Sequence, residues 1–184
     1  MPVLNAIDPK EAASPAKEVL ATLERALGRL PEMMRLMANS PAILETYVHF
    51  NHALERTTLP PKVRALITVA IAEINGCDYT LSLGTALARR QGVSDAELND
   101  ARLGRGPDAK TSDALQFAMN IVRRAGRVPH ADVERLLRNG FSDEEIVDII
   151  AAVALNIFRN YFNLVVGTEI DSPVVRSGQT RQLV

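Results

Sequence analysis

One thiol beside a helix-ending turn is the most reactive group in the sequence. Cys77 is the single cysteine among 184 residues, and it follows Asn75 and Gly76, a pair typical of helix ends. A thiol at the start of the next helix has its pKa lowered and can attack a peroxide as the thiolate. A single cysteine excludes an intramolecular disulfide and a cysteine-rich zinc site. Any redox cycle at Cys77 therefore needs a reductant from outside the chain, such as an external thiol.

The residues around this thiol carry a family motif. Residues 74–85 read Ile-Asn-Gly-Cys-Asp-Tyr-Thr-Leu-Ser-Leu-Gly-Thr, which resembles the Asn-Gly-Cys-x-x-Cys-x-x-x-His signature of the carboxymuconolactone decarboxylase and alkylhydroperoxidase D (AhpD) family. A second similar segment, Asn-Tyr-Phe-Asn at 160–163, follows in the C-terminal half. The resemblance covers residues 41–173. It implies a helical bundle with the site on a helical hairpin, assembled as a trimer, hexamer or related homo-oligomer.

Three positions of the family site hold other residues in this chain. In relatives with the full motif, a glutamate, two cysteines and a histidine converge across two helices and form a proton relay. Here Ala65 stands at the glutamate position, Thr80 at the second cysteine and Gly84 at the histidine. The resemblance leaves Cys77 as the one catalytic residue. It also gives three candidate pocket residues, which are Tyr79, Asn160 and Asn163.

These replacements favour the loss of two-cysteine peroxidase activity. A threonine hydroxyl cannot resolve a sulfenic acid, and an acid-base group contributes typically about 10²- to 10⁴-fold to a rate. Two interpretations of Cys77 remain open: a small buried apolar residue at a tight corner, or a one-cysteine redox site. Gly84 likewise indicates either close helix packing or open space for a ligand.

The histidines and the composition give no sign of a cofactor or metal. His49 and His52 are three residues apart and could share a helix face, and substitution of one of them for the missing relay histidine is left open. No Asp, Glu or His pattern accompanies them, so solvent-facing side chains are the simpler interpretation. The net charge of −1 gives no bulk attraction for nucleic acid or an anionic membrane.

Apolar residues recur at helical spacing along nearly the whole chain, which predicts an all-α fold. Two segments, starting at Gly92 and Gly140, share a helix-ending glycine, a capping serine and a glutamate three residues later, and both predict capping boxes. The first predicted helix has Ser14 as its N-cap and Pro15 as its first residue and ends at about residue 27. The others are one after Pro31, 41 to about 57, one from about 63 to 75, 77–91, one after 94, 108–125, 130–139 and 143 to about 166.

The chain is predicted to form a single domain over residues 1–184, with a C-terminal arm at 168–184 that has no helical period. Its apolar residues favour docking of the arm over fraying. The N-terminal residues have no basic or apolar leader and no run of about 18 apolar residues occurs, so we expect a soluble, cytoplasmic protein.

Two functions remain open at this stage. The first is an AhpD-like antioxidant enzyme in which Cys77 reduces peroxide and an external thiol regenerates it. The second is a non-catalytic, oligomeric member of the family that keeps the pocket for a ligand or a partner. Exposure of the Cys77 sulfur distinguishes them, because only the enzyme requires it.

Overall fold

The computed structural model of the protein describes residues 2–178, and this part of the chain contains nine α-helices and no strand. The predicted all-α class is therefore confirmed. The helices are α1 Ser14–Leu27, α2 Glu32–Met37, α3 Pro41–Glu55, α4 Pro61–Ile74, α5 Asp78–Arg90, α6 Asp95–Arg102, α7 Ala109–Arg123, α8 His130–Arg138 and α9 Asp143–Val166.

Side-chain capping hydrogen bonds mark the starts of α6, α7 and α9. Both predicted capping boxes form, with Ser94 accepting from the Glu97 amide and Ser142 from the Glu145 amide. The prediction that α3 continues to residue 57 was wrong by two residues, because the Thr57 hydroxyl donates to the Leu54 carbonyl at 2.8 Å and closes the helix end.

The start of α1 also differs from the prediction. Ser14 is the first helical residue and Ala13 holds the N-cap position, with no side-chain cap hydrogen bond. Pro15 suits the first turn because its missing N–H has no partner there in any helix. The predicted cap residue was therefore one position too late.

The fold is built around α4. This helix packs against α5, α6, α7 and α9, and its core face is fully or almost fully buried from Leu66 to Ala72 except at Thr68. Helices α1 and α2 pack on α3, while α8 packs on α7 and α9. This arrangement places the inner surfaces of α3, α4, α5 and α9 next to one another.

The longest helix, α9, has both a core face and an exposed apolar face. By length and composition it is the one helix in the described part of the chain that could cross a membrane. Its inner face, however, packs in the core with Ile149, Val153 and Leu155 and buries the polar residues Asn156 and Asn160. This mixture is typical of the core helix of a globular domain.

Residues 168–178 of the predicted C-terminal arm pack on the same chain. The Val175 amide donates to Ser82 Oγ at 2.9 Å, and the Arg176 guanidinium reaches Asp78 Oδ2 at 2.8 Å. The Gly178 amide then donates to Glu73 Oε1 at 2.7 Å. The arm thereby fastens the end of α4 to the start of α5. Residues 179–184 of the predicted arm lie outside the described residues.

Candidate functional site

Cys77 lies at the turn between α4 and α5. Gly76 has a φ of 64°, a left-handed conformation that glycine adopts without strain, and the Cys77 amide closes the turn by donating to the Ala72 carbonyl at 3.0 Å. Cys77 is the N-cap residue of α5. The sequence prediction of a thiol at the corner of a helical hairpin is borne out by this geometry.

The Cys77 thiol is buried in the corner. Its residue is 1% exposed, and Sγ donates a hydrogen bond to Thr80 Oγ1 at 3.3 Å. Burial raises the pKa of the thiol, an effect that outweighs the lowering by the hydrogen bond to Thr80, and the negative charge of Asp78 raises the pKa further. The position at a helix start therefore does not produce a reactive thiolate here.

An open cavity of about 210 Å³ lies beside this corner. Four helices line it, and each contributes residues spaced three or four apart, as expected for one helix face. The lining consists of Asn51, Leu54 and Glu55 from α3, Pro61, Arg64, Ala65 and Thr68 from α4, Thr80, Leu83, Gly84 and Leu87 from α5 with Gln91 beyond its end, and Ala152, Leu155, Asn156 and Arg159 from α9.

The three replaced family positions come together in this cavity. Ala65, Thr80 and Gly84 all line it, whereas Cys77 does not. Thr80 connects the thiol to the cavity, because it lines the cavity and its hydroxyl accepts the hydrogen bond from Cys77 Sγ. At these three positions, small or neutral side chains therefore stand in place of the groups of the family relay.

Gly84 combines the two interpretations that the sequence left open. It lines the cavity, and a Cβ added there would lie 3.2 Å from Thr68 Cγ2. Such a contact is tighter than normal, so α4 and α5 approach each other closely at this point. A side chain at position 84 would require Thr68 to shift.

The three predicted pocket residues lie outside the cavity lining. The Tyr79 hydroxyl accepts from the Met33 amide at 3.2 Å, and burial raises the pKa of this phenol. Asn163 Nδ2 donates to Thr80 Oγ1 at 3.3 Å, so it supports the cavity wall from behind. Asn160 is fully buried, and neither of its amide atoms has a partner within the described residues.

The histidines do not replace the missing relay. His49 and His52 are exposed, and neither lines the cavity. His52 Nδ1 instead lies 3.2 Å from Glu55 Oε2 at the surface. Among residues 2–178, no group of three or more His, Cys, Asp or Glu side chains is placed to hold a metal ion.

Three polar residues of the cavity were missed by the sequence predictions. Arg64 and Arg159 are half-buried, and Asn156 is almost fully buried. The sequence held a signal for one of them, because Arg64 adjoins the replaced position 65 on an established helix. Arg159 and Asn156 belong to a helix more than 70 residues further along, and only the packing of α9 shows where they face.

Known proteins resemble this chain in one sequence segment and in the overall fold. Residues 41–124 match the family model of the carboxymuconolactone decarboxylase family. No curated protein matches the chain. A solved structure described as an alkylhydroperoxidase AhpD core, a peroxidase-related protein from Ralstonia eutropha JMP134, is similar with a TM-score of 0.83 and 20% identity, covering 91% of this chain and 90% of that one.

Two further solved structures have the same fold. A peroxidase-related protein from Silicibacter sp. TM1040 matches with a TM-score of 0.77 and 21% identity, over 93% of this chain and 90% of that one. A cysteine-to-alanine variant of the debrominase Bmp8, in complex with 2,3,4-tribromopyrrole, matches with a TM-score of 0.78 and 19% identity, over 92% and 91%. At such identities the likeness shows the fold alone. Residues 41–124 match the carboxymuconolactone decarboxylase family model, and the fold of the chain is AhpD-like.

Proposed function

We propose that this protein is a ligand-binding member of its family in which two-cysteine peroxidase chemistry has been lost. One observation carries the proposal: the three replaced positions, Ala65, Thr80 and Gly84, line one open cavity, while the thiol is buried outside it. Peroxide reduction needs an accessible thiolate, a resolving group and a proton relay. The chain supplies a buried thiol, a threonine and no acid-base residue at the matching places.

The cavity has the chemical character of a binding site for a small molecule. Its walls combine leucine side chains with polar and charged groups, and both kinds occur in ligand pockets. Its volume of about 210 Å³ is below the range of roughly 300–1,000 Å³ that is common for drug-sized ligands, so the ligand is small. The debrominase with the same fold was crystallised with a small aromatic heterocycle, which supports a ligand of this size.

Binding of phenol, a small neutral aromatic molecule, tests the proposal. In protein-observed NMR titrations, we expect phenol to shift amide signals of the four lining helices, with saturation at millimolar concentrations. Ala65→Phe, which places a ring in the cavity, is expected to weaken phenol binding at least about 10-fold, since it fills space the ligand needs.

Ala131→Phe on α8 is the matched control, because residue 131 is exposed and far from the lining set. It should leave phenol binding unchanged. The proposal is wrong if phenol does not perturb the cavity residues in folded protein, or if the two phenylalanine variants affect binding equally.

We further propose that the protein forms a homo-oligomer through the outer face of α9. Large apolar side chains on this face are exposed at positions that follow helical spacing along about five turns, namely Val147, Ile150, Phe158, Tyr161 and Val165. Contiguous apolar surface of this kind is typical of interfaces, and symmetric self-association is the commonest way to cover it. A cytoplasmic location remains a prediction.

Two glutamates on this face should prevent assembly. The double variant Tyr161→Glu and Val165→Glu is expected to elute as a 20.1 kDa monomer in size-exclusion chromatography with light scattering, whereas the wild type has a multiple of this mass. Leu103→Glu, at an exposed apolar residue away from α9, is the control and should leave the mass unchanged. A monomeric wild type, or an unaffected double variant, would contradict this proposal.

A further inference from the structure

Two arginines in the cavity lack a carboxylate partner. Arg64 and Arg159 are half-buried and both line the cavity. Nine ion pairs occur within residues 2–178, and neither arginine takes part in any of them. Holding charges away from water without a counter-ion is unfavourable. The site therefore has unbalanced positive charge in a partly apolar setting.

The neighbouring contacts hold one guanidinium in position while leaving donors available. Arg159 Nε donates to the Tyr47 hydroxyl at 2.8 Å, and Nη2 donates to Asn51 Oδ1 at 3.2 Å. The guanidinium carbon also lies 5.7 Å from the centre of the Tyr47 ring. A guanidinium has five N–H groups, so three remain after these two bonds. Arg159 is thus oriented by neutral groups and can still bind an anion.

Arg64, on α4, is likewise held by a neutral group. Its Nη1 donates to the Leu59 carbonyl at 2.6 Å, and its remaining N–H groups have no acceptor among residues 2–178. Glu55 also lines the cavity, but its side chain is 58% exposed and interacts with His52 and Asn51. The lining therefore has two positive charges against one solvent-facing negative charge.

A residue of the same lining carries a buried acceptor. Asn156 is 3% exposed, and its Nδ2 donates to the Ala152 carbonyl, yet Oδ1 has no hydrogen-bond partner within the described residues. Buried acceptors in folded proteins are almost always satisfied by protein, water or ligand. Thr80 Oγ1 accepts hydrogen bonds from Cys77 and Asn163. Both residues are almost fully buried, so the two arginines are the more accessible donors of this lining.

We infer that the cavity binds a small organic carboxylate, with the carboxylate at Arg64 and Arg159. The inference rests on the proposed function, because it assigns a ligand class to that cavity. Carboxylates match the planar fork of guanidinium groups and form charge-assisted hydrogen bonds. The leucine side chains of the lining suit a short apolar or aromatic body.

Three probes of similar size separate the contributions to binding. Benzoate carries the carboxylate, benzamide is its neutral counterpart, and phenol tests the cavity alone. We expect benzoate to bind at least about 10-fold more tightly than benzamide in calorimetric titrations at low salt, because only benzoate pairs with the arginines. Raising the ionic strength should reduce this preference.

Charge-removing variants assign the preference to the two arginines. The double variant Arg64→Gln and Arg159→Gln should abolish the preference for benzoate over benzamide. The control is Arg105→Gln, at an exposed residue that pairs with Asp100 outside the cavity, and it should keep the preference. Melting curves establish that each variant is folded.

The outcomes distinguish this inference from the proposed function. Phenol binding without a preference for benzoate in the wild type would overturn the carboxylate assignment and leave the cavity proposal standing. A preference that persists in the folded double variant would also overturn it. If none of the three probes binds, the proposed function itself fails. The comparison of benzoate with benzamide in the wild type decides the matter even if the double variant does not fold.

Discussion

The variant Thr80→Cys is expected to close a disulfide with Cys77 under mild oxidation, which the natural chain cannot do. Cys77 Sγ and Thr80 Oγ1 are already 3.3 Å apart in a hydrogen bond, and the two residues are three positions apart at the start of α5. Cysteine is close in size to threonine, so the second sulfur would lie near the first with little backbone movement. After treatment with diamide, the variant should lose two hydrogens in mass and retain no thiol that reacts with Ellman's reagent after unfolding.

The variants Thr80→Ser and Thr85→Cys serve as controls. Thr80→Ser keeps a hydroxyl at position 80 and should retain its single free thiol. Thr85→Cys adds a buried cysteine on the same helix but eight residues from Cys77, about 12 Å along the axis at 1.5 Å per residue, and should keep two free thiols. Two free thiols in folded, diamide-treated Thr80→Cys protein would show that the corner is arranged differently.

In the native protein, Cys77 is expected to react with Ellman's reagent at least about 100-fold more slowly than in the unfolded chain, since labelling then requires local opening that costs roughly 3 kcal/mol. The residue is 1% exposed, and burial raises the pKa of its thiol. Both effects lower the rate at neutral pH because the thiolate is the reacting species. Stopped-flow absorbance in buffer and in guanidinium chloride gives the two rates.

The single cysteine makes this labelling result simple to interpret. Every colour change reports on Cys77, and Cys77→Ser provides the blank. Below the native pKa the rate should rise with pH, because the thiolate fraction increases. Native and unfolded rates within about tenfold of each other would mean that the sulfur is accessible, and the one-cysteine enzyme hypothesis would then regain support.

Local sequence signals were enough to predict the helices. Serine and glutamate three residues apart marked the starts of α6 and α9, and Asn75 and Gly76 marked the turn before Cys77. Such contacts join residues at most five positions apart, so the sequence alone contains them. The small errors, such as the end of α3, occurred where a side chain closes a helix without a recognisable pattern.

The charge environment of the corner could not be predicted in the same way. It depends partly on distant residues, because the arm residues Arg176 and Ser177 reach Asp78 from almost 100 positions further along the chain. The sequence showed no cation near Asp78 within the next helical turn. Packing of the arm supplies one, and so the electrostatics of the corner differ from the local expectation.

The cavity shows the same contrast between local sequence signals and contacts of distant residues. The motif identified positions 65, 80 and 84 as replaced, but each replacement alone was compatible with close packing or with open space. Only the packing of α3 and α9 against the α4–α5 hairpin leaves a space there and brings Arg64, Arg159 and Asn156 to its wall. Residues outside the family motif thus define the chemistry of this site.

Steady-state consumption of hydrogen peroxide and cumene hydroperoxide, with dithiothreitol as the reductant, tests the central claim most directly. We predict that wild-type protein and the Cys77→Ser variant consume both peroxides at the same rate as buffer with dithiothreitol alone. Consumption by the wild type that continues over many turnovers per chain and disappears in Cys77→Ser would contradict the claim that this site no longer performs peroxidase chemistry.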